Sequence, residues 1–140
     1  MYTQIALGFF LIILSIIIQV TFIEIAVRSL KKMVGTVGSR APSFSRFVIT
    51  LTGISSWILI STGVVIWMWS FTLLSLGIFN TWEETIYFTL VDFTTLGFGD
   101  VNLPYNWRLL SGFIAADGFV LFGLNTAVLI ETMVRLRADK

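Results

Sequence analysis

Residues 94–100 have the sequence T-T-L-G-F-G-D, and this stretch decides the fold because it puts two glycines, one residue apart, after a pair of threonines. An ion that leaves water needs oxygen atoms in place of its hydration shell. Successive backbone carbonyls point to one side only if alternate residues adopt left-handed backbone angles, which Gly97 and Gly99 permit because they have no Cβ atom. The stretch therefore predicts carbonyl groups that line a path for a cation, with the Asp100 carboxylate at the outer mouth.

The composition places this stretch in a membrane protein. The 140 residues are 56% hydrophobic and only 12% charged, and the mean hydropathy is +0.93, which is far too apolar for an ordinary soluble domain. The chain has neither cysteine nor histidine, and this removes thiol nucleophiles, disulfides, imidazole bases and most transition-metal sites. We therefore expect no enzyme, no cofactor and no nucleic-acid partner.

Three apolar stretches are long enough to cross a bilayer. As helices, residues 5–23 would be about 28 Å long, residues 47–79 about 50 Å and residues 109–134 about 39 Å. The excess length of the second stretch implies tilt or an extension outside the membrane. A signal peptide is the alternative for the first, but no basic residue precedes it and no small-residue cleavage site follows it. The sequence predicts an all-α integral membrane protein with three transmembrane helices.

A shorter helix is predicted between the second and third crossings. Asn80 or Thr81 can cap its N-terminus, and a glutamate follows three residues later. A helix from Trp82 to about Thr94 is roughly 20 Å long, too short to span, so it should enter from outside and return through residues 95–100 as a re-entrant loop. Non-helical backbone is not tolerated against lipid, so the loop must line a cavity or be buried in protein. Several copies must therefore assemble around it.

Residues 94–100 resemble the T-V-G-Y-G-D selectivity filter of the tetrameric potassium-channel pore family, with Leu96 in place of valine and Phe98 in place of tyrosine. The resemblance extends over residues 47–135 and implies an outer helix, a pore helix with its filter, and an inner helix. It also implies a homotetramer that conducts K⁺, with K⁺ ions bound in the filter. The residues it implies for the ion path and its support are Thr95, Leu96, Gly97, Phe98 and Gly99 in the filter, and Asp100, Asp92 and Thr94 at the mouth or behind it.

The chain divides into four predicted parts. Residues 1–27 form an N-terminal transmembrane helix with no counterpart in the minimal pore, and peripheral packing is its default role. Residues 28–46 form a basic cytoplasmic linker with the glycines, serine and proline of a loop, residues 47–135 form the pore domain, and residues 136–140 form a short cytoplasmic tail.

The distribution of basic residues predicts the orientation. Five of the nine basic residues lie in the linker and three follow the last crossing, so both segments should be cytoplasmic and the N-terminus outside. This orientation suits a multi-pass protein of a plasma membrane, such as a bacterial inner membrane, and the linker can also contact anionic lipid headgroups. Four tryptophans should mark the outer interface as an aromatic belt: Trp67, Trp69, Trp82 and Trp107.

Polar residues inside the membrane are the secondary candidates. We expect Asp92 to be protonated or hydrogen-bonded behind the filter, with direct ion contact as the alternative. Gly118 and Asn125 are seven residues apart and share a helix face, which we expect to border a water-filled cavity. Asp117 is rotated by about 100° and can instead contact the short helix. Gly118 and Gly123 suit either a gating hinge or close helix packing.

Three other functions remain open. The string G-F-G-D at residues 97–100 also satisfies the G-x-G-D pattern of intramembrane aspartyl proteases, with Asp92 or Asp117 as the second aspartate. A non-selective cation channel would keep the same architecture, because Leu96 and Phe98 depart from the resembled filter. A non-conducting accessory subunit is the third alternative.

Overall fold

The structure is a computed structural model and describes residues 2–36 and 43–138. These residues form four α-helices, α1 (Tyr2–Thr36), α2 (Ser43–Ser75), α3 (Trp82–Phe93) and α4 (Arg108–Ala138), with a 3₁₀ turn at Tyr105–Trp107 and no strand within the described ranges. The stretches long and apolar enough to cross a membrane are Tyr2–Ser29, Phe47–Ser75 and Tyr105–Arg137. The all-α architecture with three membrane-crossing helices is confirmed.

The segment between the first two crossings is more helical than predicted. A loop was expected over residues 28–46, but α1 continues to Thr36 and α2 begins at Ser43, while residues 37–42 lie outside the described part of the chain. Residues 28–34 are R-S-L-K-K-M-V, and most of these side chains favour a helix. The loop prediction was therefore wrong for residues 28–36 and 43–46, where no proline interrupts the pattern.

The second helix ends before the apolar sequence does. The N–H of Ile78 donates to the carbonyl of Leu73 at 3.3 Å and that of Gly77 to the carbonyl of Leu74 at 2.9 Å. Gly77 has a φ of +68°, the left-handed angle that commonly terminates a helix. The last residues of the apolar stretch, 76–79, therefore belong to the connection to α3. They extend beyond the spanning helix, as one of the two sequence alternatives predicted.

The described helices pack as a bundle in which α4 touches the other three. Gln4 contacts the start of α4 and Gln19 contacts Asn125, so α1 and α4 run in the same direction. Trp69 lies against Asp117 and Thr62 against Asn125, so α2 runs the opposite way. The core at this meeting point includes several fully buried side chains: Trp69, Leu73, Phe93, Leu110, Ile114 and Leu121.

Candidate ion-conduction site

The helix that leads into the site is α3, and its N-terminus is capped as the sequence indicates. The Thr81 side chain accepts a hydrogen bond from the N–H of Glu84 at 3.3 Å. Glu83 and Glu84 occupy the first turn, where the positive end of the helix dipole stabilises their negative charge. The helix ends at Phe93, within one residue of the predicted end. Twelve residues give a length of about 18 Å, too short for a crossing.

The loop after α3 has alternating left-handed backbone angles. Thr95, Gly97 and Gly99 have φ values of +59°, +55° and +77°. The prediction for the two glycines is confirmed, and Thr95 extends the alternation one step toward α3. A left-handed angle at threonine costs about 1–2 kcal/mol, and such strain clusters at functional sites. Sequence reasoning missed the Thr95 angle, although the two-residue period of the glycines already pointed to it.

The beginning of the loop is tied to α3, and its end to the following turn. The N–H of Thr95 donates to the carbonyl of Asp92 at 2.9 Å, and the N–H of Leu96 to that of Val91 at 3.0 Å. The Thr94 hydroxyl donates back to the Leu90 carbonyl at 2.7 Å, so Thr94 supports the helix end. The Gly99 carbonyl accepts a hydrogen bond from Asn102 Nδ2 at 2.6 Å, so Gly99 differs from the preceding filter residues in having its oxygen engaged by the protein.

The outer end of the loop is held by a hydrogen bond that sequence reasoning did not identify. The Tyr87 hydroxyl on α3 donates to Asp100 Oδ2 at 2.7 Å. This hydrogen bond lowers the pKa of the Asp100 carboxyl below its ordinary value, because it stabilises the charged form. Asp100 is therefore a charged group beside the last filter residue. The only sequence signal for Tyr87 was a hydroxyl-bearing aromatic residue midway along the short helix.

Asp92 lies in the last turn of α3, and its carboxyl group faces Ser111 of α4. Its Oδ2 atom is buried and has no hydrogen-bond partner among the described residues. Asp92 therefore lies between α3 and α4, three residues before Thr95. Whether Asp92 braces the loop in place of a tyrosine hydroxyl stays a prediction.

Asp117 and Asn125 of α4 face the interior of the helix bundle, so the cavity assignment of the Gly118–Asn125 face was wrong. Asp117 is fully buried and accepts a hydrogen bond from Trp69 Nε1 at 2.7 Å. Asn125 is 5% exposed, accepts from Gln19 Nε2 at 2.5 Å and donates to Thr62 Oγ1 at 3.4 Å. The physical reason is that polar groups inside a membrane need partners, and α1 and α2 provide them.

The two candidate hinge glycines have different surroundings. A Cβ atom on Gly118 would overlap the carbonyl oxygen of Phe93, the last residue of α3. Gly118 therefore serves close packing, the alternative that the sequence left open. Gly123 is exposed, and a Cβ atom there would meet nothing within 4 Å.

The aromatic belt is only partly as predicted. The rings of Trp67 and Trp82 lie 5.5 Å apart, and both side chains are exposed. Trp69 is instead fully buried against Asp117, so its assignment to the belt was wrong. A tryptophan with its ring N–H hydrogen-bonded to a buried acid belongs to the core.

A half-crossing helix followed by a loop of alternating handedness, held between membrane-spanning helices, is the architecture of a channel pore. The profile of a protein family described as "Ion channel" matches residues 47–135, which contain most of α2, all of α3 and the loop that follows it, and most of α4. The match covers more than half of the chain, and the chain therefore belongs to this family of ion channels. A search of curated proteins and a search of solved structures each found no match.

Proposed function

We propose that this ion channel is a passive, potassium-selective homotetramer that conducts through the backbone carbonyls of residues 95–98. The observation that carries the proposal is the alternation of left-handed angles at Thr95, Gly97 and Gly99. Such alternation turns successive carbonyl groups toward one side, and a ring of carbonyls replaces the hydration shell of K⁺. The Thr95 hydroxyl adds one more oxygen at the inner end, and Asp100 carries negative charge at the entrance.

The exposure of the loop in a single chain supports assembly of several copies, and the likeness of residues 94–100 to the tetrameric channel filter supports four. Leu96 and Phe98 are 61% and 66% exposed, and non-helical backbone at membrane depth needs protein or water around it. One loop cannot surround an ion, whereas copies related by a rotation axis enclose one between them. The C-terminal dipoles of four α3 helices then favour a cation in the central cavity.

The proposed orientation puts the N-terminus and the filter mouth outside a plasma membrane. Arg28, Arg135 and Arg137 lie at one end of the bundle, and Glu83 and Asp100 lie at the other. Basic residues accumulate on the cytoplasmic side. The exposed apolar side chains of the spanning helices, among them Phe10 on α1, Leu59 on α2 and Phe119 on α4, suit contact with lipid tails or other copies.

The protease alternative is disfavoured by the partners of its acids. An aspartyl protease needs two carboxyl groups that share a proton. Asp100 accepts a hydrogen bond from Tyr87, while Asp117 accepts hydrogen bonds from Trp69 and Ser15. Asp92 faces Ser111 of α4. Among the described contacts, no two of these three carboxyl groups lie against each other.

Reversal potentials in liposomes test the proposed function. Purified protein is reconstituted with K⁺ on one side and Na⁺ on the other, and protein-free liposomes serve as the control. A reversal potential that follows the K⁺ gradient supports a potassium channel. A reversal potential near zero in opposing gradients would support a non-selective cation channel, and an absence of current would support an accessory subunit.

A further inference from the structure

The first helix, α1, lies outside the residues that match the ion channel family, yet it has a buried face that contains polar side chains. Gln4, Gly8, Leu11, Ser15 and Gln19 follow one another at intervals of three or four residues, and all five are buried. This spacing is that of one helix face. Burying glutamine or serine is costly unless a partner is present, so this face is built for specific neighbours.

Those neighbours are on α4 and on the 3₁₀ turn that precedes it, at three levels of the bundle. Near the outer end, Gln4 hydrogen-bonds to the Asn106 carbonyl and accepts from the Leu109 N–H at 3.3 Å. Further along, Ser15 Oγ lies 2.5 Å from Asp117 Oδ1, and Gln19 Nε2 donates to Asn125 Oδ1 at the same distance. The polar contacts extend over about 22 Å of helix. A helix that packed only at the periphery would not need them.

The part of α4 that forms hydrogen bonds to α1 also contacts the end of α3, where the filter loop begins. We call this end of α3 the foot of the filter. Asp117 is followed by Gly118, which packs so closely on the Phe93 carbonyl that a Cβ atom would not fit. Phe93 ends α3 and is followed by Thr94 and the first left-handed residue, Thr95. A continuous set of contacts therefore leads from Ser15, through two adjacent residues of α4, to the residues that begin the filter loop.

We propose that α1 is a brace of the pore, and that Ser15 and Gln19 are positioning residues that hold α4 against the foot of the filter through Asp117 and Asn125. The inference rests on the proposed conduction path. Gly118 contacts Phe93 by close packing alone. This packing therefore depends on other contacts that fix the rotation of α4 and its position along the helix axis. Ser15 and Gln19, the two anchors on α1, fix both the rotation and the position of α4, because their partners on α4 are two helical turns apart.

The docking of α1 can be measured directly because the chain has no cysteine. The Phe113 ring occupies the place where a Cβ atom on Gly8 would stand. In the variant with both Gly8→Cys and Phe113→Cys, the ring is absent and the two thiols should meet. We expect efficient disulfide formation. Adding Ser15→Ala and Gln19→Leu should slow it by about threefold for each hydrogen bond lost, the usual strength of such bonds between membrane helices.

Currents in liposomes then test whether docking matters to the filter. We expect Ser15→Ala with Gln19→Leu to lower the steady-state open fraction by about threefold or more, without loss of tetramer on size-exclusion chromatography. The matched control is Thr21→Val, because Thr21 is exposed on the same helix and its hydroxyl bonds to the Ile17 carbonyl of α1 itself. This control should leave the open fraction unchanged. If the double variant does not assemble, Ser15→Ala alone carries the test because it removes one anchor.

The decisive measurement is rescue by the disulfide. In the background with both anchors removed, oxidation of the cysteine pair should restore the open fraction, and reduction should lower it again. Suppose that wild-type protein conducts. If removal of the anchors then leaves the open fraction unchanged, or if oxidation fails to restore it, the proposed bracing role of α1 is wrong. The proposed conduction path is unaffected by either result. Absence of current from wild-type protein would overturn both.

Discussion

The Tyr87 hydroxyl donates a 2.7 Å hydrogen bond to Asp100 Oδ2 and so ties the middle of the pore helix to the outer end of the filter loop. The two residues are thirteen positions apart, with Tyr87 midway along α3 and Asp100 directly after Gly99. At the inner end, the backbone bonds of Thr95 and Leu96 to α3 perform the same task. The filter loop is thus held at both ends by the helix that precedes it.

Removal of the Tyr87 hydroxyl should destabilise the outer end of the filter. We expect Tyr87→Phe to reduce the steady-state current by about two- to fivefold, the usual effect of losing one hydrogen bond of this kind. Single-channel recording measures the effect as shorter openings. Tyr105→Phe is the matched control, because Tyr105 is an exposed tyrosine outside α3. Equal currents from the two variants would contradict a supporting role for Tyr87.

The same hydrogen bond makes a prediction about pH. Because the pKa of Asp100 is lowered in the folded chain, the bond contributes stability above the ordinary carboxyl pKa of 3.8, and this contribution is lost as pH falls through the lower, folded value. The current difference between wild type and Tyr87→Phe should therefore be constant from external pH 8 to 5 and decline only below about pH 4. A difference that disappears near pH 6 would show that Asp100 is not the group held by Tyr87.

Substitution of Gly118 should destabilise the fold through a clash with the backbone. Gly118→Ala places a methyl group on the Phe93 carbonyl oxygen, and overpacking of this kind typically costs about 1–3 kcal/mol. Thermal unfolding in detergent should show a lower midpoint for this variant. Gly112→Ala is the control on the same helix, since a Cβ atom there meets nothing within 4 Å. If both variants unfold at the same temperature, α4 does not seat on α3 as described.

Substitution of the filter glycines should impair conduction with little effect on folding. A Cβ atom at Gly97 or Gly99 meets nothing within 4 Å, so alanine is disfavoured there only by the positive φ angle, by about 1–2 kcal/mol. We expect Gly97→Ala and Gly99→Ala to assemble normally and to lose at least about tenfold in K⁺ current, because the carbonyl direction changes with the backbone angle. Gly53→Ala, on the exposed side of α2, should retain full current. Wild-type selectivity and current in Gly97→Ala would argue against conduction through these carbonyls.

Three properties of this chain could be predicted from the sequence because each depends on residues close together in the chain. The lengths of the apolar stretches determine three crossings, and Thr81 with the following glutamates determines the start of α3. Gly97 and Gly99 permit left-handed angles in the loop backbone, since a glycine tolerates those angles wherever it lies in the fold. The loop that we propose to conduct ions was therefore recognisable before any tertiary contact was known.

The partners of the buried polar residues were decided only by tertiary structure. Asp117 was expected either to border the cavity or to contact the short helix, yet it accepts hydrogen bonds from Trp69, 48 positions away, and from Ser15, 102 positions away. The helix period identifies which residues share a face, but the rotation of one helix against another follows from the packing of all the helices together. The sequence by itself thus determined the number of crossings and the position of the glycine loop between the second and third crossings. The three-dimensional packing decided that α1 is part of the core of the bundle, because the polar groups of α4 required partners that only a neighbouring helix provides.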